Sequence, residues 1–257
     1  MKSIIKITDS KYFNLYYKNI GFEINDLIFN FDFSENIKEF EYLTKASAVY
    51  SSNIEGNSID LNSFMNYKLN KEKFKSGKEI EEIENLITAY KFAQQHKLNE
   101  NNSLYCHNIA SKTLLIKNKR GRYRTGKAGI FGKSGLVYLA IEPEFVEKEM
   151  NIFFNDLNTL MNSELSLEQV FYYASLIHLK FVHIHPFRDG NGRIARIIEK
   201  WFISKKLGKQ FWKLPSEKYY KNNQQRYYEN IHLGVNYYEL NYDNCLDFLQ
   251  MLPNCMR

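Results

Sequence analysis

Twelve residues from His185 to Arg196, HPFRDGNGRIAR, place an imidazole, a carboxylate, two glycines and three guanidinium groups in one short stretch. That set suits the handling of a nucleotide phosphate. Gly190, Asn191 and Gly192 stand just before a helix, where unpaired backbone N–H groups and the positive end of the helix dipole favour an anion. Glycine fits there because the backbone must approach the ligand and can need positive φ. Arg193 and Arg196 are three residues apart, so both guanidinium groups can reach one oligophosphate. Cations at a helix N-terminus oppose the dipole, and a bound anion would account for them. Asp189 offers a hard oxygen ligand for a Mg2+ that bridges phosphate oxygens. His185 could take a proton from an incoming hydroxyl, and Phe187 should point into the core. Taken singly, these are a helix-end histidine, an Asp-Gly turn and solvated arginines; together they fit one anion-handling geometry.

Only eight of the 35 cations are Arg, and six of the eight fall in two segments: Arg120, Arg122 and Arg124, then Arg188, Arg193 and Arg196. Guanidinium is favoured where planar, bidentate anion recognition matters. A second notable charge is Glu55, one residue before Gly56 at the expected end of a helix. A carboxylate there faces the negative end of the dipole, and a cationic partner would relieve it.

The elements that must position these groups are mostly helical. Twelve Gly and four Pro in 257 residues fall well below the usual combined share of about 12%. Residues 36 to 55 put Phe40, Leu43, Ser47, Tyr50 and Ile54 on one stripe, with Gly56 as the C-terminal glycine. Ser76 and Glu79 form a capping-box pattern before Ile80, Ile83, Ile87 and Tyr90. Pro143 opens a third helix carrying Val146, Met150, Phe153, Phe154, Leu157 and Leu160. Ser166 and Gln169 cap a fourth, residues 170 to 184, apolar over most of its circumference and so expected at the centre. A fifth runs from Arg193 to Gly208, a sixth from Ser216 to Gly234, and a short seventh spans Asn244 to Leu252. Residues 121 to 135 differ: they hold five glycines and precede the β-prone LVYLAIEP, so residues 127–131 and 136–140 can pair as a hairpin around the turn GKSG.

Composition excludes several classes. With 44% hydrophobic residues there is ample core material, and no apolar run reaches a membrane span. The opening residues lack the apolar stretch of a signal peptide, so a cytoplasmic protein without membrane contact is expected. Cys106, Cys245 and Cys255 are too scattered for a disulfide framework. The net charge of +6 is spread along the chain, a weak argument for nucleic acid. A P-loop fails on spacing, since Gly126 is one residue too far from Gly132. A metal hydrolase built on His178, His183 and His185 lacks HExxH. A non-enzymatic module whose hairpin alone binds a partner would not need both His185 and Asp189.

HPFRDGNGRIAR resembles the signature of the Fic family, His-x-Phe-x-Asp/Glu-Gly-Asn-Gly-Arg-x-x-Arg, at every specified position. The resemblance covers roughly residues 40 to 235 and is sharp only in short stretches. It implies a mainly α fold, a Fic-type helical bundle with a β-hairpin flap beside the active site. The implied organisation is an N-terminal helical region over residues 1–75, with an inhibitory helix at about 36–56, and a catalytic core over 76–257 with the signature at 185–196. It implies transfer of AMP from ATP to a Ser, Thr or Tyr hydroxyl of a target protein or of the chain itself. His185 would be the general base, Asp189 the Mg2+ ligand, Gly190 to Gly192 the anion hole, and Arg193 and Arg196 the holders of the β- and γ-phosphates. Doc relatives transfer the γ-phosphoryl group instead, but their signature differs in the Gly-Asn-Gly stretch that is intact here.

The glycine-rich hairpin matches the family's flap, which aligns an extended piece of the target by strand addition. Ile130, Phe131 and Val137 are its candidate contacts. Ser51-Ser52-Asn53-Ile54-Glu55-Gly56 resembles the inhibitory motif Ser/Thr-x-x-x-Glu-Gly/Asn, which implies that Glu55 pairs with Arg196 and occupies the γ-phosphate position. Removal of AMP through this glutamate is a second activity known among relatives. Tyr228, of the pair Tyr227-Tyr228, and Asn236 fall where relatives contact adenine. Relatives often carry a C-terminal helix-turn-helix; with none recognised here, direct DNA binding is not expected. A homo-oligomer is compatible with this reading.

Overall fold

A computed structural model describes residues 5–33, 37–70, 77–132 and 135–257. The expected boundary at 75/76, Ser76 of the expected capping box, and Lys133 and Ser134 of the expected turn lie outside the described residues. The helices in chain order are α1 (Phe13–Asn19), α2 (Ile24–Asn30), α3 (Ile37–Ile54), α4 (Leu61–Asn70), α5 (Gly77–Gln95), α6 (Glu100–Ala110), α7 (Pro143–Asn162), α8 (Leu167–Ile184), α9 (Asn191–Leu207), α10 (Ser216–Asn222), α11 (Gln224–Ile231), α12 (Leu246–Leu249) and α13 (Met251–Asn254). Between α6 and α7, β1 (Gly129–Gly132) and β2 (Gly135–Leu139) form an antiparallel hairpin.

The architecture follows from α8. Every residue from Val170 to Ile184 is buried, as a helix apolar around its circumference must be. Ser166 and Gln169 close the capping box that fixes its start, each side chain bonding the other's backbone N–H. α9 packs along α8, and α3, α5 and α7 surround the pair. Buried residues from Ile5 to Cys255 form one continuous cluster. Among the described residues no helix is long and apolar enough to cross a membrane.

Three details depart from the periodicity. The expected sixth helix is broken at Asn223 into α10 and α11. The expected seventh is two short pieces, α12 and α13. α3 ends at Ile54, and its most deeply buried face is not the expected apolar stripe. Of the stripe, Phe40, Leu43 and Tyr50 are half-buried and Ser47 and Ile54 are buried, whereas Ala48, Ser51 and Ser52 beside it are wholly buried. The reason is charge. Lys200 Nζ donates to Ser47 Oγ (2.8 Å), Arg196 Nε to Ser51 Oγ (2.9 Å), and Ser52 Oγ donates to Glu82 (2.6 Å). Three serines thus solvate buried ions, a role to which the spacing of apolar residues is blind.

Candidate active site

α8 stops at His185, whose φ of 53° and ψ of 58° put it in the left-handed region, alone among the described non-glycine residues. The carbonyls at that end need partners. They are supplied by the hairpin segment: Tyr138 Oη donates to His183 O (2.6 Å), and Arg124 donates from Nε to His185 O (2.7 Å) and from Nη2 to Ile184 O (3.4 Å). The Arg124 backbone N–H reaches Pro186 O (2.9 Å), and its guanidinium also bonds Gly126 O and Ile141 O, at both ends of the hairpin. A cation beside a helix C-terminus is favourable, so Arg124 holds the hairpin and the helix end in one arrangement.

The His185 ring gives Nδ1 to Val182 O (3.3 Å). A carbonyl only accepts, so the proton belongs on Nδ1 and the lone pair on Nε2. Burial pushes the imidazole down to about 4, which keeps Nε2 able to accept a proton.

The loop after His185 is braced from beneath. Asn191 closes it by accepting from Phe187 N–H (2.8 Å) and donating to Phe187 O (2.9 Å). Phe187 is buried, as its sequence context requires, and stacks on His107 at 3.6 Å between ring centroids. His107 Nδ1 accepts from Gly121 N–H (2.9 Å), so its Nε2 donates to Asp189 O (3.0 Å). Gly190, with φ of 81°, begins α9; only glycine adopts that turn without strain. The N–H groups of the first turn of α9 have no intrahelical acceptor, and Gly190, Asn191 and Gly192 at that helix start line a cavity.

Glu55 reaches this helix terminus from α3. The chain leaves α3 through Gly56 (φ 98°), with Asn57 N–H bonding Ser52 O and Gly56 N–H bonding Asn53 O, the pattern of a Schellman end. Glu55 Oε1 accepts from Arg196 Nη2 at 2.8 Å. Burial by itself would raise the Glu55 carboxyl, but the charges of Arg196 and Arg193 and the Arg196 bond outweigh it and hold the group below its ordinary range. Gly192 lacks a side chain where one would collide: a Cβ there would lie 2.5 Å from Glu55 Oε1. Side chains of α10 and α11 occupy the last carbonyls of α3. Lys221 donates to Asn53 O (3.0 Å), and Gln224 (2.7 Å) and Tyr228 (2.8 Å) donate to Ile54 O.

A cavity of about 530 Å³ joins these groups, lined among others by Glu55, His185, Arg188, Asp189, Gly190, Asn191, Gly192, Arg196, Tyr228 and the hairpin residues Ile130, Phe131 and Val137. Four expected residues lie outside that lining: Ser51, Gly56, Arg193 and Asn236. Arg193 turns to Glu82 (2.8 and 3.1 Å) and lies 3.7 Å from Asp189, so its guanidinium and that of Arg196 do not converge here. Asn236 caps the turn Tyr237–Glu239 through its side-chain oxygen. His178 bonds Glu199 and Tyr227, and His183, which also lines the cavity, spends both ring nitrogens on Tyr242 and Ile231 O. Arg124, Tyr138, His107 and Glu82 are the positioning residues that sequence reasoning did not single out. Arg124 carried a signal in the arginine clustering, whereas His107 and Glu82 look like ordinary helix residues.

A helical bundle whose central helix ends on this loop, with a hairpin tied beside it, has the fold of the Fic proteins. A Fic family protein from Desulfovibrio desulfuricans superposes with a TM-score of 0.76 at 23% identity, over 94% of this chain and 73% of that one. Residues 97–203 match the Fic/DOC family model, and the chain carries a Fic/DOC domain there. The protein adenylyltransferase Fic of Nematostella vectensis is 38% identical over 78 residues, 30% of this chain and 16% of that protein. The protein of the same name from Culex quinquefasciatus is 32% identical over 155 residues, 58% of this chain and 30% of that protein. The chain thus spans less than a third of the length of the curated relatives it matches.

Proposed function

We propose that the chain transfers AMP from ATP to a Ser, Thr or Tyr hydroxyl of a protein, its own or another, and that Glu55 restrains the reaction. The observation that carries this reading is the shared cavity, where His185, the N-terminus of α9, Arg196 and the hairpin residues meet. His185 Nε2 takes the hydroxyl proton as the oxygen attacks the α-phosphorus. A new P–O bond forms, the α–β phosphoanhydride bond breaks, and pyrophosphate leaves. The first-turn amides of α9 and Arg196 stabilise the phosphate charge. Arg193 joins them by exchanging Glu82 for phosphate.

The Asp189 side chain is half exposed at the cavity, and one carboxylate with substrate phosphates is a donor set that Mg2+ accepts. Asp189 would hold the ion there, which would supply positive charge to the phosphate oxygens. Ile130, Phe131 and Val137 would align an extended segment of the target, with Ile130 and Phe131 exposed on β1. Tyr228, which lines the cavity that Glu55 enters, would contact the adenine.

Glu55 on Arg196 would hold the γ-phosphate position, so the resting protein should be weakly active, with Ser51 and Gly56 shaping the brake. The test is incubation with α-labelled and γ-labelled ATP and candidate proteins. Label carried over from the α position, raised by Glu55→Gly and abolished by His185→Ala, supports the reading. Label retained only from the γ position refutes it.

A further inference from the structure

Arg196 makes four side-chain hydrogen bonds. Nε donates to Ser51 Oγ (2.9 Å), Nη2 to Ser51 O (3.0 Å) and Glu55 Oε1 (2.8 Å), and Nη1 to Tyr227 Oη (3.2 Å). Three of these bonds go to α3 and the residue that ends it. If α3 must yield for ATP to bind productively, Arg196 loses three bonds at the moment it is needed. A long side chain freed in this way regains rotamer entropy, which must be lost again on each binding event.

The fourth bond does not involve α3, and it continues inward. The Tyr227 hydroxyl has one proton and accepts from Arg196, so its proton goes to another partner. His178 Nε2 lies 2.9 Å away. That nitrogen therefore accepts, and Nδ1 donates to Glu199 Oε2 at 2.6 Å. Glu199 also accepts from Tyr220 Oη at 3.0 Å. Tyr227, His178, Glu199 and Tyr220 are at most 1% exposed, and burial pushes the Tyr227 hydroxyl up, so it keeps its proton. The chain of bonds is directed and closed, and it ends on the one guanidinium that pairs with Glu55.

We propose that Tyr227, His178 and Glu199 are positioning residues that form a fixed tether on Arg196, aiming its guanidinium at the γ-phosphate after Glu55 has left. The tether spans three helices, α8, α9 and α11, and none of its bonds is made to α3. This rests on the reading of Arg196 as a γ-phosphate ligand.

The test is calorimetric binding of ATP and ADP to the full chain in a Glu55→Gly background. Tyr227→Phe keeps the ring and removes the hydroxyl; it should weaken ATP binding about tenfold and change ADP, which lacks the γ-phosphate, less than twofold. In Arg196→Ala protein the same substitution should have no further effect. His178→Gln can still donate to Glu199 and accept from Tyr227, and should retain most of the affinity that His178→Leu loses. Glu199→Gln gives the same comparison from the far end if Tyr227→Phe does not fold. Equal losses for ATP and ADP, or losses that persist without Arg196, would show a merely structural network and overturn the proposal. ATP binding without AMP transfer would sink the transferase reading and leave the tether standing; no ATP binding at all would sink both.

Discussion

Glu55 Oε1 and the Arg196 guanidinium lie 2.8 Å apart at the N-terminus of α9, beside a glycine that leaves no room for a side chain between them. The pair joins the end of one helix to the start of another. Each terminus on its own carries an unfavourable charge, a carboxylate at a C-terminus and a guanidinium at an N-terminus. Together they neutralise one another, at the site where the proposed reaction would need a phosphate to bind.

Glu55→Gly should therefore raise AMP transfer by roughly tenfold or more, each tenfold corresponding to about 1.4 kcal/mol of lost competition. It should also lower stability by about 1–3 kcal/mol, because buried Arg196 keeps its charge without this partner. Labelling by α-labelled ATP and a melting curve on the same preparation measure both. Unchanged labelling would remove the brake.

The same brake should loosen without touching Glu55. Gln224→Ala and Lys221→Ala each remove one of the donors on a terminal carbonyl of α3 and should raise labelling about two- to fivefold. In the Glu55→Gly background these changes should add nothing. A rise that persists there would place their effect outside the α3 latch.

Arg124→Ala should cost about 2–4 kcal/mol, since it strips partners from buried carbonyls at the end of α8 and on both sides of the hairpin. Activity should fall further than stability, because the loop bearing His185 and the hairpin lose their common anchor. Arg124→Lys, with one point donor, should not restore it. Full activity in Arg124→Ala would contradict this role.

Acid should reach the His185 base late. With its imidazole pushed down to about 4 by burial, the neutral form persists through the range where an ordinary histidine titrates, near 6.5. In Glu55→Gly protein the rate should stay level as pH falls through 6.5 and drop only towards 4. An acid limb centred at 6.5 would show that His185 is not the base or is not buried during turnover.

Folding should respond to acid earlier than that. Burial lowers His107 to about 4 and His183 to about 3. The unfolded chain thus binds more protons between those values and 6.5, and stability must decline as pH falls through that window. Denaturant midpoints at pH 7, 5.5 and 4.5 should fall in that order. His183→Gln should flatten the decline.

The helical class, the central buried helix and the order of charged groups in HPFRDGNGRIAR were legible along the chain, because those follow from periodicity, capping and glycine placement, which are local. So was the need of Glu55 for a cation, since a helix terminus carries its dipole wherever it is packed. Which charges meet is settled by packing. Arg193 and Arg196 are three residues apart, yet the first turns to Glu82 and the second to Glu55, a choice made by helices more than a hundred residues away in sequence. The ions that Ser47, Ser51 and Ser52 of α3 meet were hidden for the same reason, because they depend on Lys200, Arg196 and Glu82 lying opposite. His107 and Arg124 support the catalytic loop only through carbonyls that the fold brings within reach. Pairing of buried charge is a property of distance in space, and no pattern along the chain encodes it before the helices have packed.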